Sequence, residues 1–288
     1  MIRRIIILLF ITSVLFSQTI YTQQDVEVCK SKFDLALSKD LQSKPINEVV
    51  IEIAKSFLSL DYEAQSLEKG DKETLVVHLT GLDCYTFLES ALVFARCIKS
   101  NDTTFACYQK ELENVRYRNG ELKDYPSRLH YFSDWIYEMD QRGIAKDITK
   151  DIGGVPYSNN VNFMSTHPDS YEQLRTHPSF IDDIAANEKE ISERKYYYIP
   201  QDDIESIEDK IQSGDILGIT TGIKGLDISH TAIAIRLDDG MIHLLHAPNV
   251  GKKIQISEQP LADYIKSVKN QTGIMVVRPL EVKGKQCN

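Results

Sequence analysis

Apolar residues follow one another almost without interruption after Cys84, and polar residues cluster just before it. The run from Phe87 to Ile98 leaves almost no polar face, which is typical of a helix buried nearly all round. Asp83 is a good helix N-cap, and Thr86 and Glu89 have the spacing of a capping box one turn later. The pattern therefore predicts a loop that becomes a buried helix at or just before Cys84.

A cysteine in the first turn of a buried helix is suited to nucleophilic chemistry. The unpaired N–H groups and the dipole at a helix N-terminus stabilise a thiolate and lower the pKa of the cysteine. The thiolate is the nucleophile in cysteine-dependent catalysis. Free cysteine is, however, just as often a small inert side chain in the core. A functional interpretation of Cys84 therefore requires a base elsewhere in the chain.

The remaining pattern changes from helices to strands along the chain. Helical spacing marks residues 45–60, 102–116 and 179–194, whereas short strands with turn signals dominate after Pro200. Asn119-Gly120, between short extended runs, predicts a β-hairpin. Runs of helix followed by runs of strand indicate an α+β fold.

Two histidines lie at the open end of a hairpin predicted in the last third of the chain. If the turn centres on Asp238-Asp239, antiparallel pairing places His230 opposite positions 246–248. His243 has the opposite parity to His246, so only one of the two can share a sheet face with His230. The register selects His246 as the neighbour of His230.

A thiol, an imidazole and a polar group that orients the imidazole form the constellation of nucleophilic acyl transfer. In this interpretation His230 takes the proton of Cys84 and later protonates the leaving amine, and His246 holds the ring of His230. Zinc binding is the rival interpretation, since cysteine and two histidines also satisfy Zn²⁺. The three residues lack the short local spacing that usually nucleates a structural zinc site, so neither a metal nor a cofactor is predicted.

An aromatic-rich segment runs from Tyr125 to Trp135 and also contains Arg128 and His130. It fits either the beginning of a core helix or the wall of a binding cleft. In a cleft the rings would contact apolar ligand surface and Arg128 would bind a carboxylate. The cleft is the favoured interpretation.

The N-terminus has the layout of a secretory signal peptide. Arg3-Arg4 is followed by an apolar run from Ile5 to Phe16 and then by small polar residues. The run is shorter than the roughly 20 residues of a membrane span, and an uncleaved anchor is the alternative. Residues 1–22 are predicted as the signal peptide, with cleavage after Ser17 or after Thr22. Export, most simply to the periplasm, is expected.

The mature chain, residues 23–288, has the length of one large domain, which is predicted to be catalytic with helical insertions at about 100–200. The formal net charge is −9, and removal of the N-terminal arginines makes the protein more acidic. An acidic chain disfavours nucleic acid as a partner. The five cysteines are an odd number, which in an exported protein suggests one free thiol.

Several motifs resemble the DUF1460 family, a branch of the NlpC/P60 papain-like cysteine peptidases. In chain order they are Leu82–Glu89, Tyr125–Tyr131, Asn162–Ser165, Tyr198–Pro200, Gly225–His230 and Leu245–Ala247. Together they span about residues 50–260. The resemblance implies a papain-like core, in which the nucleophile helix packs on an antiparallel sheet or half-barrel, with an additional helical subdomain.

The same resemblance implies an N-acetylmuramoyl-L-alanine amidase. Such an enzyme would cut the amide between the lactyl group of (anhydro)muramic acid and L-alanine in peptidoglycan fragments, the muropeptides. The nucleophile, the base and the third residue of the family correspond to Cys84, His230 and His246. The candidate substrate contacts are Tyr62, Asp83, Arg128, His130 and Tyr131.

Two alternatives remain open at this level. NlpC/P60 relatives more often cut the bond between D-glutamate and the diamino acid, and an exported binding module with an inactive papain-like fold would preserve the same motifs. In each case the expected partners are peptidoglycan fragments. A monomer without a membrane span after signal cleavage is expected.

Overall fold

Residues 19–249 and 251–283 are described by a computed structural model. Within these ranges the helices are α1 Gln23–Ser38, α2 Ile46–Lys55, α3 Cys84–Lys99, α4 Phe105–Arg116, α5 Phe132–Gln141, α6 Phe163–Thr166, α7 Glu172–Thr176, α8 Phe180–Glu193, α9 Ile204–Ile207 and α10 Leu261–Ser267. The strands are β1 Ala145–Asp147, β2 Val155–Tyr157, β3 Tyr196–Pro200, β4 Ile216–Thr221, β5 Ile228–Arg236, β6 Ile242–His246, β7 Gln255–Ile256 and β8 Gln271–Pro279.

The strands form one antiparallel sheet in the order β2-β3-β8-β4-β5-β6-β7, and β1 also pairs with β8. The fold is therefore mixed α and β with an antiparallel sheet, as the sequence pattern predicts. The long strands β4, β5 and β8 lie side by side at the centre, where their Ile and Val side chains are buried. β-branched residues suit such a pleated, buried surface.

Helix α3 packs against one face of the sheet, on strands β5 and β6, with α2 and α4 beside it. From Thr86 to Ile98 every side chain of α3 is buried, which confirms the prediction of a helix without a solvent-exposed face. Ile233 and Ile235 of β5 belong to the core on the α3 side, whereas Ala232 and Ala234 belong to a second core that includes α10. The two cores follow the alternation of side chains along a strand.

The predicted register of the β5–β6 hairpin is confirmed to within one residue. Leu245 pairs with Ile233, and His243 pairs with Ile235. A turn centred on Asp238-Asp239 places the partner of His243 at about position 234, one residue away. By the same alternation, His230 and His246 lie on the sheet face that α10 covers.

One local prediction differs from the structure. Arg118–Gly120 form a 3-10 turn, with Asn119 at φ 57°, instead of a two-stranded hairpin. Val155–Tyr157 form a short strand that pairs with β3. The region of predicted helical insertions contains α4–α8, and β1 and β2 within it join the main sheet.

The predicted signal peptide lies largely on residues 1–18, outside the described residues. Ile20 forms a parallel bridge with Val76, and Thr22 caps α1 through a reciprocal pair of hydrogen bonds with Asp25. The folded unit therefore begins before the boundary predicted between residues 22 and 23. Among the described residues, no helix combines the length and the apolar character that a bilayer crossing requires.

Candidate active site

Cys84 is the first residue of α3, and Asp83 is the N-cap. Asp83 Oδ1 accepts hydrogen bonds from the amides of Tyr85 and Thr86, at 3.1 and 2.8 Å, and from the Thr86 hydroxyl at 2.8 Å. The Asp83 amide in turn donates to Thr86 Oγ1. The capping box is thus formed by Asp83 and Thr86, and Glu89, predicted to cap with Thr86, is instead buried in an ion pair with Arg116.

The thiol of Cys84 is held in its neutral form. Burial, followed by the charge of Asp83, raises the pKa of Cys84 to about 11. This contradicts the lowered pKa expected from the helix N-terminus, because desolvation disfavours a charged thiolate more strongly than the surrounding donors stabilise it. A base must therefore take the proton of Cys84 when the thiol reacts.

Thr231 joins β5 to the first turn of α3. Its hydroxyl donates to the backbone carbonyl oxygen of Cys84 at 2.8 Å. Its backbone and side-chain hydrogen bonds, together with the amide of Cys84 itself, lower the pKa of the thiol, although by less than burial raises it. Thr231 therefore fixes α3 against β5, and its hydrogen bonds favour the thiolate form of Cys84.

His230 and His246 form a direct hydrogen bond, which confirms that they are neighbours. His230 Nε2 lies 2.8 Å from His246 Nδ1, and the two rings stand at 71°. His243 instead bonds Asp239 and the carbonyl oxygen of Ser257, as expected from its opposite parity.

Both imidazoles of this pair are neutral at neutral pH. Burial lowers the pKa of His230 to about 4, and burial together with the nearby His230 lowers the pKa of His246 to about 3. His246 is completely buried, and its Nε2 has no hydrogen-bond partner among the described residues. A neutral His230 can accept a proton, as a general base must.

Two tyrosines lie close enough to Cys84 to feel its charge, and one of them, Tyr264, also contacts His246. The ring of Tyr264 stands at 85° to that of His246, with 5.3 Å between centroids, and the charge of Cys84 contributes to raising the pKa of Tyr264. Burial and the charges of Cys84 and Asp83 raise the pKa of Tyr62 to about 12. No hydrogen bond joins Cys84 to His230 in the described ranges, and such bonds are often long before a substrate binds.

A pocket of about 460 Å³ opens beside the first turn of α3. Its lining combines tyrosine rings with acidic and basic side chains: Gln65, Ser66, Leu67, Glu68, Asp83, Tyr85, Thr86, Arg116, Tyr125, Arg128, Leu129, His130, Ser170, Tyr171, Glu172 and Arg175. Three of the predicted substrate contacts, namely Asp83, Arg128 and His130, are among these residues. Mixed rings and charges suit a ligand that is partly polar and partly apolar.

All three are already engaged with the protein, Asp83 through the N-cap hydrogen bonds described above. Arg128 is buried and paired with Glu68 at 2.6 Å and Glu73 at 3.6 Å, so its charge is balanced internally. His130 Nε2 bonds the carbonyl oxygen of Tyr125 at 2.8 Å, and burial, followed by the charge of Arg128, holds the pKa of His130 well below its usual range. Both residues therefore shape the pocket wall.

Tyr131 has a different environment from the other candidates. It is buried, its hydroxyl donates to Glu188 at 2.7 Å, and the amide of Met164 donates to that hydroxyl. Tyr131 is absent from the described residues that line the pocket. In this position it attaches the segment at Met164 to α5 and α8.

Sequence reasoning missed three residues of this region: Thr231, Tyr264 and Arg175. Thr231 follows His230 directly, so the alternation of side chains along the strand could have predicted that Thr231 faces away from His230. Tyr264 and Arg175 lie on short helices far away in the chain, and no local pattern relates them to Cys84. Within the described ranges, no three His, Cys, Asp or Glu side chains are arranged to hold a metal ion.

The sequence of the chain matches a family of amidase-like proteins. Residues 52–274 match the model of the AmiA-like family, described as N-acetylmuramoyl-L-alanine amidase-like. The chain belongs to this family. The AmiA-like match covers α3, both histidines and the pocket, so the candidate site lies inside the matched region. No curated protein is significantly similar to the chain in sequence.

Several solved structures are similar to this chain. An N-acetylmuramoyl-L-alanine amidase from Bacteroides uniformis is 30% identical, with a TM-score of 0.78 over 82% of this chain and 99% of that one. A Bacteroides fragilis protein named "putative xylanase" is 35% identical, with a TM-score of 0.75 over 79% and 99%. Protein LPG0564 from Legionella pneumophila, of family DUF1460, is 20% identical with a TM-score of 0.67 over 91% and 96%, and shows the fold alone.

Proposed function

We propose that the protein is a cysteine-dependent N-acetylmuramoyl-L-alanine amidase that cuts muropeptides between the lactyl group of N-acetylmuramic acid, including its anhydro form, and L-alanine. The observation that carries the proposal is the His230–His246 hydrogen bond, on a strand whose next residue, Thr231, contacts Cys84. We further propose that α3 on its sheet is a papain-like NlpC/P60 core. Membership in the amidase-like family supports the choice of an amide as the substrate bond.

The proposed reaction begins with proton transfer from the Cys84 thiol to His230. The sulfur attacks the lactyl carbonyl carbon, and the backbone amide of Cys84 stabilises the resulting oxyanion. His230 then protonates the alanine nitrogen, so the C–N bond breaks and a thioester remains. His230 next deprotonates a water molecule, which attacks the thioester and restores the thiol. His246 keeps the ring of His230 oriented throughout.

The pocket beside α3 is suited to the stem peptide that follows L-alanine. It adjoins Cys84 through Asp83 and Tyr85, and its tyrosine rings offer apolar contact. Arg175 is exposed at the pocket and has no ion pair among the described residues, whereas Arg116 and Arg128 are paired internally. Stem peptides carry carboxylates, so Arg175 is the cation that remains for the substrate.

Replacing Arg175 with glutamine tests this assignment. We expect KM for a muramoyl tripeptide to rise about two- to fivefold, the effect of one exposed charge pair, with kcat nearly unchanged. An uncharged muramoyl-L-alanine amide should show no such change. The matched control is Lys189→Gln, an exposed cation on α8 outside the pocket. Equal KM values for Arg175→Gln and Lys189→Gln on the tripeptide would contradict the assignment.

Mass spectrometry of the products identifies the bond that is cut. An amidase releases a peptide with a free N-terminal alanine and leaves the muramic acid with a free lactyl carboxylate. An endopeptidase would leave L-alanyl-D-glutamate on the sugar, and an inactive binding module would leave the muropeptide intact. Xylan oligosaccharides belong in the same assay because of the name of the B. fragilis relative. Glycosidases generally use two carboxylates flanking the bond, a chemistry in which Cys84 and the histidine pair have no role.

We also propose that the protein acts outside the cytoplasm as a monomer. The N-terminal basic and apolar pattern and a substrate from the cell wall support export. The periplasm would place the enzyme where peptidoglycan fragments are formed.

A further inference from the structure

The hydrogen-bond pair of two neutral histidines has a proton arrangement that must be specified. Each neutral imidazole carries one N–H and one lone pair. His230 Nε2 and His246 Nδ1 share one proton between them, so one nitrogen donates and the other accepts. Only when His230 Nε2 donates is its Nδ1 a lone pair that can accept the proton of Cys84. The proposed amidase mechanism, on which this inference rests, requires this arrangement.

The other nitrogen of His246 determines the direction of the bond. If His246 Nδ1 accepts from His230, then His246 Nε2 must carry a proton. That nitrogen is completely buried and has no conventional partner among the described residues. A buried N–H without an acceptor is costly, which would favour the opposite and unproductive tautomer. Some other group must therefore stabilise the Nε2–H form.

We propose that the aromatic face of Tyr264 is this acceptor, and that Tyr264 is a positioning residue that sets the tautomers of both histidines. The two rings are nearly perpendicular, at 85°, with centroids 5.3 Å apart, which is the geometry of an edge directed at a face. An N–H directed at an aromatic face is a weak hydrogen bond. Tyr264 is half-buried on α10, the helix that covers this face of the sheet.

Isotope-edited NMR of the full chain reads the tautomers directly, without substrate. Two-bond ¹H–¹⁵N correlations distinguish Nδ1–H from Nε2–H, and His246→Asn provides the resonance assignment. We expect Nε2–H for both histidines in the wild type and in Tyr264→Phe, which retains the aromatic face. Tyr264→Leu removes the face, and we expect a shift of His246 toward Nδ1–H.

Kinetics of the same variants provide the second readout. Tyr264→Leu should lower kcat about tenfold with little change in KM, and Tyr264→Phe should retain kcat within about threefold of the wild type. A wild-type His246 with its proton on Nδ1, or a Tyr264→Phe enzyme as slow as Tyr264→Leu, would overturn the proposal. Because the tautomer is observed without substrate, failure of the proposed amidase activity would appear separately, as intact muropeptide in the wild-type assay.

Discussion

At the scale of single residues, the site depends on the balance between burial and hydrogen bonding. Cys84 combines the sequence signature of an activated thiol with an environment that raises its pKa to about 11. His230 carries the complementary shift, to about 4, which keeps it neutral. Both candidate groups are therefore neutral at rest, and the proposed reaction must form the thiolate as the substrate binds. The sequence motifs predicted a cysteine and a histidine at the site. The burial that shifts the pKa values of these two side chains could be seen only in the folded structure.

The depressed pKa of His230 predicts the acid limb of the pH profile. Below its pKa the imidazole is protonated and cannot accept the proton of Cys84, so lowering the pKa moves the loss of activity to lower pH. We expect kcat/KM to remain near its maximum down to about pH 5 and to fall around pH 4. Circular dichroism at each pH separates loss of the base from unfolding. An acid limb near pH 6.5, the usual value for histidine, would contradict the neutral buried base.

At the scale of elements, the contact between α3 and β5 joins the helix that begins at Cys84 to the strand that carries His230. Side chains alternate along β5, so Thr231 faces α3 and His230 faces α10. Neighbouring residues of this strand therefore contact elements on opposite faces of the sheet. The hairpin register and the buried helix were predictable because side-chain period and turn position define them locally. The partners of Arg128 and the position of Tyr264 were not, because they depend on which distant segments pack together.

Replacing Thr231 with valine tests this contact. The hydroxyl that donates to the Cys84 carbonyl oxygen is lost, and we expect the free energy of unfolding to fall by about 1–2 kcal/mol. We also expect kcat to fall about three- to tenfold, because a donor to the thiolate is lost as well. Thr231→Ser retains the hydroxyl and should lie close to the wild type in both urea unfolding and kcat. Valine and serine variants with the same stability and kcat would show that the contact has no role.

At the scale of the whole molecule, one antiparallel sheet built from residues 145–279 packs against helices α2 and α3 from the N-terminal half of the described chain. The expected α+β class and the match of residues 52–274 to an amidase-like family agree with this architecture. The structure adds contacts made by residues ahead of the predicted boundary between residues 22 and 23. Ile20 and Thr22 contact Val76 and α1, and composition alone could not reveal those contacts.

These N-terminal contacts predict which of the two candidate cleavage sites leaves the more stable protein. Cleavage after Ser17 would retain Ile20 and Thr22, whereas cleavage after Thr22 would remove the bridge to Val76 and the α1 cap. A helix cap contributes about 1 kcal/mol. We therefore expect a protein that starts at Gln23 to melt a few degrees lower than one that starts at Gln18. Calorimetry of the two proteins checks this, and equal melting temperatures would contradict it.

The central claim is that the sulfur of Cys84 performs the amide cleavage. The most direct measurement is the rate of alanine-terminated peptide release from a defined muropeptide by the wild type, Cys84→Ala and Cys29→Ala, the last being a buried cysteine of α1. We predict a loss of at least about a thousandfold for Cys84→Ala, as expected when a nucleophile is removed, with both variants folded and Cys29→Ala near the wild-type rate. Peptide release by folded Cys84→Ala at the wild-type rate would contradict the account.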